Sequence, residues 1–372
     1  MRVVCHAQHL TGIGHFVRMH LIAARLAEAH EVHLVDGGRP VARPVGAAEP
    51  RRIRLPRLVR TAEAGVTAVD GGPAEEALAR RAGMLAEAVG RIRPDAVLVD
   101  HYPFAKWELG PEISAMIDAA RAANPQVRVL CSLRDIAPPT GRESLAGDAY
   151  ADRVVDLLGE RFDGILVHGD PAFTRFEDHW PAAGRVPVPV RYTGFVAEPP
   201  GPRPAPGRWA VLSGGGVDAS RFFAAATEAF LRAAPPDLAL HVFAGPGHDL
   251  PPVDPTSGRV QVHPFSSAFA GWLGHAALSI SRAGYNTSTG LLAAGIPAVV
   301  VPDPRLSDQP ARGRLLAAAG LVHLVEGDRQ DDVDAVAAAI SAALDGPRPR
   351  HTFDLDGVAT TRRLVEEWPR PT

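Results

Sequence analysis

The run Arg282-Ala-Gly-Tyr-Asn-Thr-Ser-Thr-Gly290 joins an apolar stretch to a short helix whose first turn is rich in amide and hydroxyl side chains. Gly284 leaves room for the backbone to approach a ligand. Asn286, Thr287 and Ser288 stand where a helix has N–H groups without intrahelical acceptors and where its dipole is positive. That combination suits an anion, and a phosphate above all. Ser213-Gly-Gly-Gly216 is a second turn of the same kind, in which Ser213, Gly214 and Gly215 can aim a hydroxyl and backbone N–H groups at a diphosphate. The plainer alternative is an unliganded βα loop. No Gly-Lys-Ser/Thr follows, which argues against P-loop nucleotide hydrolysis.

A third turn, Gly12-Ile-Gly14-His-Phe-Val-Arg18, follows the first apolar run. It lacks the third glycine of a dinucleotide fingerprint, where Val17 stands, which argues against a nicotinamide cofactor. His15 at its mouth has the chemistry of a general base near neutral pH, or of a histidine bonded locally at a helix start. His101, beside Asp100 at the end of a predicted strand, and Asp135, in the turn after Cys131, are the alternatives for that role. Arg18 lies one helical turn from His15 and can meet an anionic acceptor or pair with an acid.

These residues also carry a resemblance. Arg282 to Gly290, then Leu291-Leu-Ala-Ala-Gly-Ile-Pro297 and Asp308-Gln309, resemble the donor-sugar motif of nucleotide-sugar glycosyltransferases of GT-B type. The chain looks most like predicted bacterial glycosyltransferases similar to the enzyme that adds N-acetylglucosamine to lipid I. Gly12 to Arg18, Leu133-Arg-Asp-Ile136, Val167-His-Gly-Asp170 and Tyr192-Thr-Gly194 fall in that family's order. The resemblance implies two Rossmann-like domains facing a central cleft, with a nucleotide-diphosphate sugar as co-substrate and no metal or other cofactor. It implies further that Gly12, Gly14 and Arg18 lie on the acceptor side, and that Asp308 and Gln309 meet the donor hexose. Phe265 and Ser266 would wall the base pocket, and Arg282, Gly284, Asn286 and Thr287 would belong to the donor site. One departure stands out: where relatives carry a glutamate for the ribose hydroxyls, this chain has Gly290.

The elements that must position these turns are legible as strand-length apolar runs separated by amphipathic stretches, the pattern of βα units and an α/β fold. Strands are predicted at Arg2 to His6, Glu31 to Val35, Ala96 to Val99, Val127 to Cys131 and Gly164 to His168. After a Pro-rich interruption they recur at Trp209 to Leu212, Leu238 to Phe243, Val260 to His263, Ala277 to Ile280, Ala298 to Val301 and Val322 to Val325. The expected organisation is a domain over 1–198, a Pro-rich linker over 199–207, a donor domain over 208–350 and a final segment, 351–372, whose helix, as the resemblance alone implies, would pack back on the first domain.

At 372 residues, with 46% hydrophobic and 22% charged residues, the chain suits two soluble domains. A net charge of -3 gives no reason to expect nucleic acid. Cys5 and Cys131 lie in apolar runs and read as buried free thiols. The 15 histidines show no tight ligand spacing, and no metal site is expected. Asp354 and Asp356 read as charges at a helix start. With no leader or membrane-spanning run, the expectation is a cytoplasmic protein. Arg51, Arg52, Arg54, Arg57 and Arg60 read as a solvated edge, with peripheral membrane contact the less favoured alternative. The functional expectation is an inverting, metal-independent glycosyltransferase. A nucleotide-sugar hydrolase and a non-catalytic sugar-nucleotide-binding protein are the alternatives.

Overall fold

The computed structural model describes residues 1–10, 12–38, 48–61, 65–137, 148–215, 219–245, 258–264 and 266–371. Phe265 and Gly216 lie outside these residues. The described chain divides into two compact units, one formed up to Val196 together with the segment from Asp356 onward, the other by Ala197–Leu355.

The first unit runs β1 (Arg2–His6), α1 (Gly14–Ala27), β2 (Glu31–Asp36), β3 (Arg51–Arg54), β4 (Leu58–Thr61), β5 (Gly65–Ala68), α2 (Ala74–Ile92), β6 (Ala96–Asp100), α3 (Gly110–Ala123), β7 (Arg128–Arg134), α4 (Asp148–Arg161), β8 (Gly164–His168) and β9 (Val190–Tyr192). Seven strands form one parallel sheet in the order β3-β2-β1-β6-β7-β8-β9, while β4 and β5 make a separate antiparallel pair. The central strands are apolar on both faces because helices cover both, which is why they read as continuous hydrophobic runs. Val4, Val97 and Val129 pack to one side, Val3, Leu98 and Leu130 to the other. Cys5 and Cys131 are free and buried among them, and burial pushes the Cys5 thiol up to about 12.

Strands β3 and β9 have no apolar run, so the sequence pattern passes over them; both are short and lie at the sheet edges. The arginine-rich stretch falls on β3 and β4. Arg51 pairs with Glu31, Arg52 with Asp36 at 3.6 Å, Arg57 with Asp70 at 2.6 Å and Arg60 with Glu108. Ile53 and Leu58 of the same stretch are core residues.

The second unit repeats the plan with β10 (Trp209–Gly214), α5 (Ser220–Ala233), β11 (Ala239–Ala244), β12 (Val260–His263), α6 (Phe269–Gly274), β13 (Leu278–Ser281), α7 (Tyr285–Ala294), β14 (Ala298–Val300), α8 (Gln309–Ala318), β15 (His323–Leu324) and α9 (Val333–Asp345). Its six parallel strands are ordered β12-β11-β10-β13-β14-β15. Residues 199–207 belong to this unit. A Cβ on Gly274 would stand 2.7 Å from Pro200, and one on Gly201 would stand 3.1 Å from the Gly271 nitrogen.

The chain returns to the first unit with α10 (Gly357–Glu367), whose N-cap Asp356 accepts a bond from the Ala359 N–H. Leu364, Val365 and Trp368 join the core that contains α1 and β1. The buried guanidinium of Arg128 donates to the carbonyls of Val365 at 2.9 Å and Trp368 at 3.1 Å, answering acceptors that a helix end leaves unpaired.

Candidate functional site

Both sheets change direction of winding at their first strand: β1 lies between β2 and β6, and β10 lies between β11 and β13. In open α/β sheets that switch point, at the carboxyl ends of the strands, is where ligands lodge.

In the first unit, β6 ends at Asp100 and α1 begins at Gly14, which brings a carboxylate and His15 together. His15 Nδ1 stands 2.8 Å from Asp100 Oδ2. Lys106 Nζ contacts the same oxygen at 2.5 Å, and Arg18 binds Oδ1. Although burial works against its charge, His15, Lys106 and Arg18 hold Asp100 well below the usual carboxylate range. Burial, together with the Arg134 guanidinium, holds His15 well below the usual histidine range, outweighing the upward pull of Asp100. With Nδ1 the ring nitrogen nearest the carboxylate, the neutral tautomer protonated there would leave Nε2 to take a proton, as a general base does.

The Arg18 side chain is fully buried, and its Nη2 donates to Asp100 Oδ1. Neither Gly12 nor Gly14 has a positive φ, and a Cβ on Gly12 would meet nothing within 4 Å, so packing does not force glycine at position 12. The ring of His101 lies edge-on to that of His15, 5.1 Å between centroids. Asp135 is buried and its Oδ1 accepts from the Ile136 N–H at 2.9 Å. Asp100 and Lys106 were not singled out from the sequence; the visible signal was an acid closing the apolar run Ala96-Val-Leu-Val-Asp100.

Beneath this site lies a buried polar network. His6 Nε2 contacts Glu112 at 2.9 Å, and Arg81 donates to both Glu112 oxygens at 2.6 and 2.8 Å, to Gln8 at 2.9 Å and to the Pro56 carbonyl at 2.6 Å. It ties the loop leaving β1 to α2 and α3. Against the opposing effect of burial, the bonds from Arg81 and His6 bring Glu112 down to about 2.

In the second unit, Ser213 and Ser281 are register partners at the ends of β10 and β13, on the face that α7 covers. Both hydroxyls, and that of Ser288 in α7, are buried without a hydrogen-bond partner among the described residues. Helix α7 starts at Tyr285 with Gly284 as N-cap in extended conformation and without a side-chain cap. Asn286 and Thr287 occupy its first turn. A Cβ on Gly284 would meet only Gln309 Nε2, at 3.9 Å. Gln309 Oε1 accepts from the Asp303 N–H at 2.9 Å, so its NH2 end is the one turned to this helix start. Gly214 has a packing reason, since a Cβ would stand 3.0 Å from Phe222. Gly215 follows it at the end of β10.

Several expected donor residues hold contacts within the protein. Arg282 is buried, donates to the Val301 carbonyl at 3.1 Å and to Gln330 at 2.7 Å, and lies 4.2 Å over the Phe222 ring. It fastens β13 to its neighbours. Asp308 is the N-cap of α8 but makes no cap bond; its carboxylate pairs with Arg312 at 2.9 Å. Ser266 accepts from the Ala268 N–H at 3.3 Å, at the start of α6. The space a side chain at Gly290 would take is filled by Leu273 of α6, whose Cδ2 would be 2.9 Å from a Cβ there.

The fold is the GT-B architecture of two Rossmann-like domains. Nearly the whole chain superposes on spinosyn forosaminyltransferase SpnP, with a TM-score of 0.60, 16% identity and coverage of 99% of this chain and 95% of that one. Spinosyn rhamnosyltransferase SpnG complexed with thymidine diphosphate gives 0.54, 17%, 99% and 96%. MurG of Acinetobacter baumannii gives 0.50, 16%, 98% and 99%. In sequence, residues 211–345 match the glycosyltransferase family 28 C-terminal domain. The chain is also 32% identical over 191 residues to the UDP-N-acetylglucosamine–N-acetylmuramyl-(pentapeptide) pyrophosphoryl-undecaprenol N-acetylglucosamine transferase of Parasynechococcus marenigrum (strain WH8102). That match covers 46% of this chain and 48% of the relative, so it spans about half of each. Among the described residues no helix is long and apolar enough to cross a membrane.

Proposed function

We propose that the protein is a glycosyltransferase that moves a sugar from a nucleotide-diphosphate donor to an acceptor hydroxyl or amine. The second unit, which carries the family 28 match, would hold the donor: its diphosphate at the start of α7 near Ser213, its hexose near Gln309. The first unit would hold the acceptor. His15 Nε2 takes the acceptor proton as the acceptor atom bonds to the anomeric carbon, and the bond from that carbon to the diphosphate breaks with inversion. The nucleoside diphosphate leaves with the bonding pair, its charge met by the helix dipole and backbone N–H groups rather than by a metal ion. The imidazolium formed on His15 is stabilised by Asp100.

The single observation that carries the catalytic part is the His15–Asp100 pair at the first switch point. A merely sugar-nucleotide-binding protein has no use for an oriented base there. The relatives include a UDP-N-acetylglucosamine transferase and a rhamnosyltransferase complexed with thymidine diphosphate, so UDP and TDP donors are both to be tried. The test is incubation with UDP- and TDP-sugars, with and without an acceptor panel, alongside His15→Ala. Transfer lost in the variant supports the reading. Fast release of free sugar without acceptor would make the protein a hydrolase, and binding without turnover would leave it a binding protein.

A further inference from the structure

Three non-glycine residues among the described ones have positive φ, and two of them, His101 at 68° and Lys106 at 66°, lie on the loop that follows β6. The left-handed region disfavours a residue with a Cβ by about 1 kcal/mol, and a glycine or asparagine would occupy it more readily. Such positions in a loop beside a site are where backbone strain is kept for a purpose. Both side chains enter the same place: Lys106 reaches Asp100, and His101 lies against His15.

His101 is held from both sides. Its N–H donates to the Ser132 carbonyl at 3.0 Å, and its own carbonyl accepts from Ala105 at 3.1 Å. Its residue surface is only 8% exposed, yet Nδ1 has no hydrogen-bond partner among the described residues. An unanswered buried polar nitrogen is unfavourable by about 1–3 kcal/mol until something bonds to it. The imidazole adjoining it is the proposed base.

Resting on the transferase reading above, we propose that His101 is a second substrate-contacting residue, bonding through Nδ1 to a polar group next to the acceptor's attacking atom. The two neighbouring imidazoles then select an acceptor class: a vicinal diol or amino alcohol, one group on His15 and the adjacent one on His101. A monohydroxyl acceptor would leave Nδ1 unanswered.

The experiment compares acceptors that differ by one adjacent hydroxyl, catechol with phenol and cis-1,2-cyclohexanediol with cyclohexanol, using whichever of UDP-glucose, UDP-N-acetylglucosamine or TDP-glucose the protein turns over. The wild type should favour the diol in kcat/KM by up to about tenfold, the worth of one neutral hydrogen bond. In His101→Gly that ratio should fall to near one. In His101→Asn, which tolerates positive φ and places a polar atom at the δ position, it should be largely restored. Melting temperatures of both variants confirm that they fold, and the asparagine form serves if the glycine form does not. A wild type without diol preference, a preference retained in His101→Gly, or one not restored in His101→Asn overturns the inference. A wild type that transfers sugar to nothing removes the transferase reading itself, and is seen before any variant is compared.

Discussion

Asp100 shares one oxygen, Oδ2, between His15 Nδ1 at 2.8 Å and Lys106 Nζ at 2.5 Å. The carboxylate thus orients the imidazole, while the ammonium beside it opposes protonation of the ring. Sign follows from this. Because His15 is held below the usual histidine range, it stays unprotonated through neutral pH, and kcat/KM should stay flat from pH 8 down past the ordinary histidine value and fall only on the acid side of it. Lys106→Met removes a neighbouring positive charge and should move that acid limb upward. A profile that already falls through pH 7.5 in the wild type would contradict the assignment.

Replacing the base itself should be severe. His15→Ala and Asp100→Asn are each expected to lower kcat by about 100- to 10,000-fold. They differ in stability. Asp100→Asn also removes the buried charge that Arg18 and Lys106 both contact, so it should lower the melting temperature where His15→Ala does not. Steady-state rates with thermal denaturation on both variants check this.

Glu112 makes a stability prediction in acid. Its folded value of about 2 lies below the ordinary 4.5, so the unfolded chain binds the extra proton between those limits. The group's contribution, about 3 kcal/mol, is complete above pH 4.5 and is lost as the pH falls towards 2. Glu112→Gln leaves Arg81 buried without its counter-charge and should destabilise the protein by about 3–5 kcal/mol near neutrality. Urea titrations of both proteins at pH 7 and pH 4 measure the difference, which should shrink at the lower pH.

Ser213 separates binding from stability. Its hydroxyl is buried without a partner among the described residues, so Ser213→Ala should leave the melting temperature unchanged or raise it. If the hydroxyl is kept for the diphosphate, calorimetry should show UDP or TDP binding weakened about three- to tenfold by the same change. A stability loss with unchanged binding would assign Ser213 to packing.

Gly290 and Leu273 give the opposite test. A glutamate at 290 must displace a buried leucine, so Gly290→Glu should cost about 1–3 kcal/mol and bring no gain in nucleotide affinity. Thermal shift with and without UDP reports both effects. Tighter UDP binding in this variant would show that the space can still serve the ribose.

The strands that proved easiest to recognise were those covered on both faces. Arg2–His6 and Gly164–His168 have the bounds their apolar runs predict, because a run of strand length between turn residues has few other uses. Arg51–Arg54 and Val190–Tyr192 were missed because an edge strand is held by backbone bonds to one neighbour and needs no apolar pattern. The site was legible by turn and by residue type, not by partner. Arg282 belongs to the resemblance's donor motif, yet its guanidinium is committed to Val301 and Gln330. Asp308 suits an N-cap and a sugar ligand equally in sequence, and the carboxylate is found on Arg312.

What the sequence determined alone is local: period, turn chemistry and the two rounds of strand, glycine turn and helix, all written in neighbouring residues. Which side chains meet was decided only by tertiary structure. His15 and Asp100 are 85 residues apart and become partners because β1 and β6 lie side by side where the strand order reverses. Likewise Leu273 closes the space over Gly290 because α6 packs on α7, a contact between two helices that no periodicity within either one encodes.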